Sequence, residues 1–180
     1  LAGRLDVNGD GKPDLVMTAP RWTRYGSVFA YDHSGRFLYV VNSTAQLTFG
    51  DRGNSECIGV VGDLDRDGCD DYVVGGADYR RVPGGEGAAI VLSGRTGKVL
   101  QVGHDEQPGD FLGDSADGCG DLDGDGYLDF VAGSWYRRRS VVRAFSGRTG
   151  QAIHTWATGP ANPFEAKTVG GRGLDVDRDG

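Results

Sequence analysis

Apolar residues in this chain come in short blocks separated by glycine, aspartate and arginine, and the blocks recur in the same order three times. Leu15-Val16-Met17-Thr18-Ala19, Tyr72-Val73-Val74-Gly75-Gly76-Ala77 and Phe130-Val131-Ala132-Gly133-Ser134 are short, β-branched or aromatic, and closed by small residues. They read as buried strands rather than helices. A second block follows each one: Gly26-Ser27-Val28-Phe29-Ala30-Tyr31, Ala88-Ala89-Ile90-Val91-Leu92 and Ser140-Val141-Val142-Arg143-Ala144-Phe145. The turns after these blocks are Asp32-His33-Ser34-Gly35, Ser93-Gly94-Arg95-Thr96-Gly97 and Ser146-Gly147-Arg148-Thr149-Gly150. Each ends on a glycine suited to the left-handed residue of a bulged hairpin. Outer strands follow at Phe37 to Val41, Lys98 to Val102 and Ala152 to Ala157.

Ahead of each first block lies a run of acidic residues. Asp6-Val7-Asn8-Gly9-Asp10-Gly11-Lys12-Pro13-Asp14, Asp63-Leu64-Asp65-Arg66-Asp67-Gly68-Cys69-Asp70-Asp71 and Asp121-Leu122-Asp123-Gly124-Asp125-Gly126-Tyr127-Leu128-Asp129 share one pattern, and Asp175-Val176-Asp177-Arg178-Asp179-Gly180 begins a fourth. Their first residues are 57, 58 and 54 apart, a period that marks a repeat architecture. From the last loop aspartate to the hairpin glycine the spacing is 21, 26 and 21 residues. The extra length falls around Pro83-Gly84-Gly85, so the insertion belongs to a loop. Each unit supplies four antiparallel strands that cannot bury their faces alone. The sequence therefore predicts an all-β chain: a β-propeller fragment of about three four-stranded blades spanning residues 1–180, with loops at 6–14, 63–71 and 121–129 and a truncated one at 175–180. Closed propellers have about four to eight blades, which implies a longer parent chain.

Crowded carboxylates need a counter-ion, since like charges a few ångströms apart repel by roughly 4 kcal/mol per pair at an effective dielectric of about 20. An all-oxygen donor set selects a hard cation, and side chains at loop positions one, three and five, a glycine at six and a carbonyl at seven form the first half of a calcium loop. The expected ligands are Asp6, Asn8, Asp10, the Lys12 carbonyl and Asp14; Asp63, Asp65, Asp67, the Cys69 carbonyl and Asp71; Asp121, Asp123, Asp125, the Tyr127 carbonyl and Asp129; and, in the fourth copy, Asp175, Asp177 and Asp179. An EF-hand would need a bidentate glutamate at position twelve, where this chain has Met17, Val74 and Ala132 within strands. The competing reading is a set of solvated Asp-Gly turns, against which the near-constant period argues.

Composition narrows the partners. A net charge of −7 disfavours nucleic acid, and three bound dications would bring it to −1. Of the three cysteines, Cys119 reads as a small buried hydrophobe, and Cys69 as a backbone donor; a disulfide is the alternative, and the spacing does not support a zinc site. Asn42-Ser43-Thr44 is a formal glycosylation sequon. There is no long apolar span for a membrane. A modest-affinity calcium loop fills only where calcium is abundant, which points to an extracellular, periplasmic or cell-surface protein.

The run Phe111-Leu112-Gly113-Asp114-Ser115-Ala116 followed by Gly120-Asp121-Leu122-Asp123-Gly124-Asp125-Gly126-Tyr127-Leu128-Asp129-Phe130-Val131-Ala132-Gly133 resembles the FG-GAP repeat of integrin α-subunit propellers and their bacterial relatives. Phe49-Gly50 with Gly75-Gly76-Ala77, and Thr18-Ala19-Pro20, repeat the signature. Leu112 interrupts the Phe-Gly pair, the third unit reads Ala132-Gly133-Ser134, and Phe49 stands farther from its loop than Phe111 does. The resemblance implies a propeller with calcium in the loop between the first and second strands of each blade, away from the usual partner-binding surface.

A second constellation follows the second strand of each unit: Arg21-Trp22-Thr23-Arg24-Tyr25, Tyr79-Arg80-Arg81 and Trp135-Tyr136-Arg137-Arg138-Arg139. Trp22, Arg24, Tyr79, Arg81, Trp135, Tyr136 and Arg138 would stand together at the end opposite the loops, where rings and guanidinium forks suit a protein or an anionic or carbohydrate ligand. The plainer reading packs the rings between blades and leaves the arginines as solubilising charge. Catalytic motifs are absent, and His33, His104 and His154 read as a hairpin, a loop and an outer-strand residue. The expected function is binding or adhesion; the alternative is the propeller portion of an extracellular hydrolase, lyase or quinoprotein-like enzyme, with its catalytic residues outside this segment.

Overall fold

The computed structural model describes residues 2–19, 22, 26–44, 49, 57–76, 87–104, 112–136 and 139–157. They form twelve strands: β1 (Ala2–Leu5), β2 (Asp14–Ala19), β3 (Ser27–Tyr31), β4 (Phe37–Asn42), β5 (Ile58–Gly62), β6 (Asp71–Gly75), β7 (Ala88–Leu92), β8 (Val99–His104), β9 (Ser115–Gly120), β10 (Asp129–Tyr136), β11 (Arg139–Phe145) and β12 (Ala152–Ala157). Each consecutive set of four makes one antiparallel sheet with its strands in chain order. No helix occurs among the described residues.

Strand alternation explains how the sheets stack. Val16, Val28 and Ala30 of the first sheet share a buried cluster with Tyr72, Val74, Ile90 and Leu92 of the second. The intervening residues Val73, Ala89 and Val91 turn the other way and join Phe130, Ala132 and Phe145 of the third, where the two phenyl rings stack at 5.4 Å. The middle sheet is thus covered on both faces, and every residue of β6 and β7 is buried. The continuous apolar runs seen in the sequence are the trace of that double burial.

The second, third and fourth strands match the sequence expectation to within a few residues, and the hairpin glycines Gly35, Gly97 and Gly150 have φ of +83°, +67° and +71°. His104 ends β8 rather than lying in a loop. The first strands are the elements that sequence patterning leaves unassigned, because β9, Ser-Ala-Asp-Gly-Cys-Gly, carries no β-branched or aromatic residue. The reason is steric. A Cβ on Gly118 would stand 2.4 Å from the Val60 carbonyl oxygen, and one on Gly59 would stand 2.5 Å from that of Ala116. The first strands of neighbouring sheets therefore meet backbone to backbone, while the fourth strands keep exposed side chains such as Phe37, Val99 and Trp156. Sheets that converge at one edge and spread at the other form a fan.

All three cysteines are free. Cys57 donates its thiol to the Gly113 carbonyl at 3.3 Å, Cys69 is buried, and Cys119 is half-buried, less enclosed than its sequence context suggests. Burial pushes the thiols of Cys57 and Cys119 up to about 12 and that of Cys69 to about 11, so all three stay protonated at neutral pH.

The tight approach of β5 and β9 is open to test. Replacing Gly118 with alanine drives a methyl into the Val60 backbone, which cannot yield as a side-chain tip would. Chemical denaturation of Gly118→Ala is expected to show a loss of about 1–3 kcal/mol. An unchanged midpoint would mean that the two strands do not touch.

Candidate metal centres

Each acidic run is the connection from the first to the second strand of its sheet, and all three fold the same way. The carboxylate at position one accepts the amide of position five through Oδ1 and that of position six through Oδ2. These bonds are 3.1 and 2.7 Å at Asp6, 2.9 and 3.0 Å at Asp63, and 3.0 and 2.9 Å at Asp121. Position three adds a second bond to the same amide, from Asn8, Asp65 or Asp123. Position five accepts the amide of position seven at 2.9 Å in every copy, from Asp10, Asp67 or Asp125. This ladder of side-chain-to-backbone bonds curls the chain round its own carboxylates. Left-handed residues make the curl possible: position six is Gly11, Gly68 and Gly126, with φ of +79°, +85° and +86°. Position four is also left-handed, at Gly9, Arg66 and Gly124, and for an arginine that conformation costs roughly 1–2 kcal/mol.

Position nine has another task. Asp14, Asp71 and Asp129 open β2, β6 and β10 and are buried. One oxygen of each accepts the amide of position two, at Val7, Leu64 or Leu122 (3.1, 2.7 and 2.7 Å). The other accepts an amide from the hairpin that joins the third and fourth strands, at His33, Gly94 or Gly147 (3.1, 2.9 and 2.9 Å). One carboxylate thus pins loop and hairpin together in each sheet. Burial without a charged partner raises the pKa of all three, that of Asp71 to about 6.

Acidic side chains of each loop also converge. One atom each of Asp63, Asp65 and Asp71 lies within 4.8 Å of the others, and Asp121, Asp123 and Asp129 make the same group in the third sheet. In the first sheet the group is Asp10, Asp14 and His33. His33 Nδ1 stands 3.4 Å from Asp10 Oδ2, and Lys12 Nζ lies 3.2 Å from Nε2. His33 is a residue that sequence reasoning set aside. Its backbone amide does what Gly94 and Gly147 do, so the signal was an imidazole at a position where the other hairpins have no side chain.

The donors are carboxylate oxygens, with an imidazole in the first group, and in the second and third sheets one of them is a buried carboxylate short of positive charge. That set fits a hard divalent ion. Positions one, three and nine converge in the second and third loops. Asp6 and Asn8 of the first loop accept the same backbone amides as their counterparts, Asp6 adding that of Gly9, and Asp67 is held by Arg95, whose Nε lies 3.0 Å from its Oδ2. Lys12, Cys69 and Tyr127 donate their amides to position five.

Neighbouring loops also touch. The Asp6 amide donates to Asp70 Oδ2 at 3.0 Å and the Asp70 amide to the Asp6 carbonyl at 2.8 Å. Asp175, Asp177 and Asp179 lie outside the described residues. So do Arg24, Tyr79, Arg81 and Arg138 of the expected ligand surface. Trp22 of that surface is 72% exposed and edge-on to Phe29 at 5.6 Å, and Trp135 and Tyr136 close β10 at the end away from its loop.

Asp71→Ala separates framework from ligand. It strands the buried amides of Leu64 and Gly94 and is expected to cost about 1–3 kcal/mol per amide even in a chelator, whereas Asp65→Ala, at an exposed position, costs far less there. Equal losses in thermal unfolding would refute the division of labour.

The family model of the FG-GAP-like repeat matches residues 6–74. Integrin alpha-5 of Xenopus laevis is 33% identical over 170 residues, covering 77% of this chain and 15% of that protein. Integrin alpha-IIb of Homo sapiens is 30% identical over 164 residues, with 77% and 15% covered, and integrin alpha pat-2 of Caenorhabditis elegans is 31% identical over 164 residues, with 76% and 13% covered. The chain thus spans about 15% of the length of these relatives. Among solved structures, the rhamnogalacturonan lyase YesW superimposes with a TM-score of 0.51 at 20% identity, covering 86% of this chain and 33% of that one. The exotype rhamnogalacturonan lyase YesX gives 0.51 at 21% identity, with 86% and 32% covered. These last two likenesses are of fold.

Proposed function

Because the chain belongs to the FG-GAP-repeat family, we propose that it is part of a calcium-stabilised β-propeller of an exported protein, acting in binding or adhesion. The observation that carries this reading is the threefold recurrence of one loop geometry with a convergent group of donors in each copy. Asp63, Asp65 and Asp71 would hold one ion, Asp121, Asp123 and Asp129 a second, and Asp10, Asp14 and His33 a third. The remaining loop oxygens of Asp6, Asn8, Asp67 and Asp125, and the carbonyls of Lys12, Cys69 and Tyr127, complete the sets where the chain brings them in; Asp175, Asp177 and Asp179 begin a fourth. The ion supplies the positive charge that offsets carboxylate repulsion.

The protein's own residues do the rest. Position nine couples the loop to the hairpin, so a filled loop stiffens all four strands of its sheet. Affinity of about 10⁻⁴ to 10⁻³ M, as in extracellular modules, suits such a structural task and an extracellular, periplasmic or cell-surface setting. No helix among the described residues is long and apolar enough to cross a membrane. A protein or an anionic or carbohydrate ligand would meet the opposite end, where Trp22 stands exposed and Trp135 and Tyr136 end their strand.

Thermal unfolding in millimolar calcium and in excess chelator tests the proposal. An ion at ten times its dissociation constant adds about 1.4 kcal/mol per independent site, so the calcium form is expected to melt several degrees higher. Identical melting curves would defeat it.

A further inference from the structure

The second loop departs from its neighbours at one position. Where the first and third loops have Gly9 and Gly124, it has Arg66, in the same left-handed conformation at φ +63°. Arg66 is the single non-glycine residue at positive φ among the described residues. Such a conformation persists when its surroundings over-determine it, and here the surroundings belong to another sheet. Arg66 Nη2 donates to the carbonyl of Gly126 at 2.8 Å, in the third loop. Its guanidinium carbon lies 4.7 Å from the centre of the Tyr127 ring, and that of Arg148, from the third sheet's own hairpin, lies 5.5 Å from the same ring.

The peptide between Gly126 and Tyr127 is therefore held at both ends. Its carbonyl is fixed by Arg66 and its amide by Asp125 Oδ1 at 2.9 Å. A glycine at φ +86° gives this peptide little resistance to rotation of its own. Without the bridge, both the carboxylate of Asp125 and the carbonyl of Tyr127 would sample several directions. We propose that Arg66 is a positioning residue for the third cation loop: it lends order from the second sheet to a neighbouring site that it does not itself ligate. The inference rests on the cation reading given above. Charge acts in the opposite sense, because a guanidinium near the loop repels a cation. Arg66 is exposed, and in water two unit charges several ångströms apart interact by only about 1 kcal/mol or less, so the orienting effect prevails. The fourth copy of the motif again has arginine at this position, Arg178.

Terbium(III) accepts the oxygen donor sets that calcium does and emits when an excited tyrosine ring is close. Tyr127 is the aromatic at position seven, where the other two loops have Lys12 and Cys69. In the intact protein, the part of the tyrosine-sensitised emission that Asp123→Asn abolishes belongs to the third loop. Arg66→Gly should weaken terbium binding in that component by about fivefold, the equivalent of one net hydrogen bond. Arg66→Lys, which lacks the planar fork, should not restore it. Glycine is the native residue of the other two loops at this position, so Arg66→Gly is expected to keep its melting temperature in chelator, which separates positioning from folding. Unchanged or tighter binding in Arg66→Gly would overturn the proposal while leaving the cation loops intact. Absence of sensitised emission from the wild-type protein, together with calcium-independent melting, would instead remove the cation reading and this inference with it.

Discussion

A carboxylate buried at the base of each loop is the interaction on which the structure depends. Asp14, Asp71 and Asp129 each receive one amide from the loop that precedes them and one from a hairpin 19, 23 or 18 residues away. Two turns that lie apart in sequence are thereby held at the same end of the sheet. Placing an acid there is costly, since burial raises its pKa, and backbone amides offset only part of that cost. A carboxylate so placed calls for positive charge, and in the proposed role the exposed acids of the same loop would bring it by gathering a cation rather than by a salt bridge. Structural anchor and candidate metal ligand are in this way one side chain.

The loops also form a chain of their own. The first is joined to the second by reciprocal bonds between Asp6 and Asp70, and the second to the third by Arg66. Arg95 ties the second loop to its own hairpin through Asp67. Most of these bonds are near the surface, where each contributes little in isolation. Linked in series, they help to set the relative placement of turns whose sheets are also joined by apolar packing and by bonds such as that from the Val60 amide to Asp117 Oδ1.

Much of this was legible in the sequence. The spacing of the acidic runs fixed the repeat, and the β-branched blocks fixed the second and third strands, because both are properties of single residues at regular intervals. The first strands were not legible, since Gly59 and Gly118 are selected by how near another backbone comes, which no local pattern records. His33 carries no local signal for a related reason: its importance lies in what its amide and ring meet across the sheet. The difference at the first loop, where His33 joins Asp10 and Asp14, is likewise a matter of three-dimensional company.

The alternating burial of the sheets has a consequence for how such a chain can change. Odd positions of β6 look to one neighbour and even positions to the other, so the two sides of a unit differ, as a plug differs from a socket. Gene duplication in tandem would then generate matching surfaces automatically, with no fresh complementarity to be evolved at the junction. Growth by whole units is the cheap route for this architecture, and loss of half a unit the ruinous one.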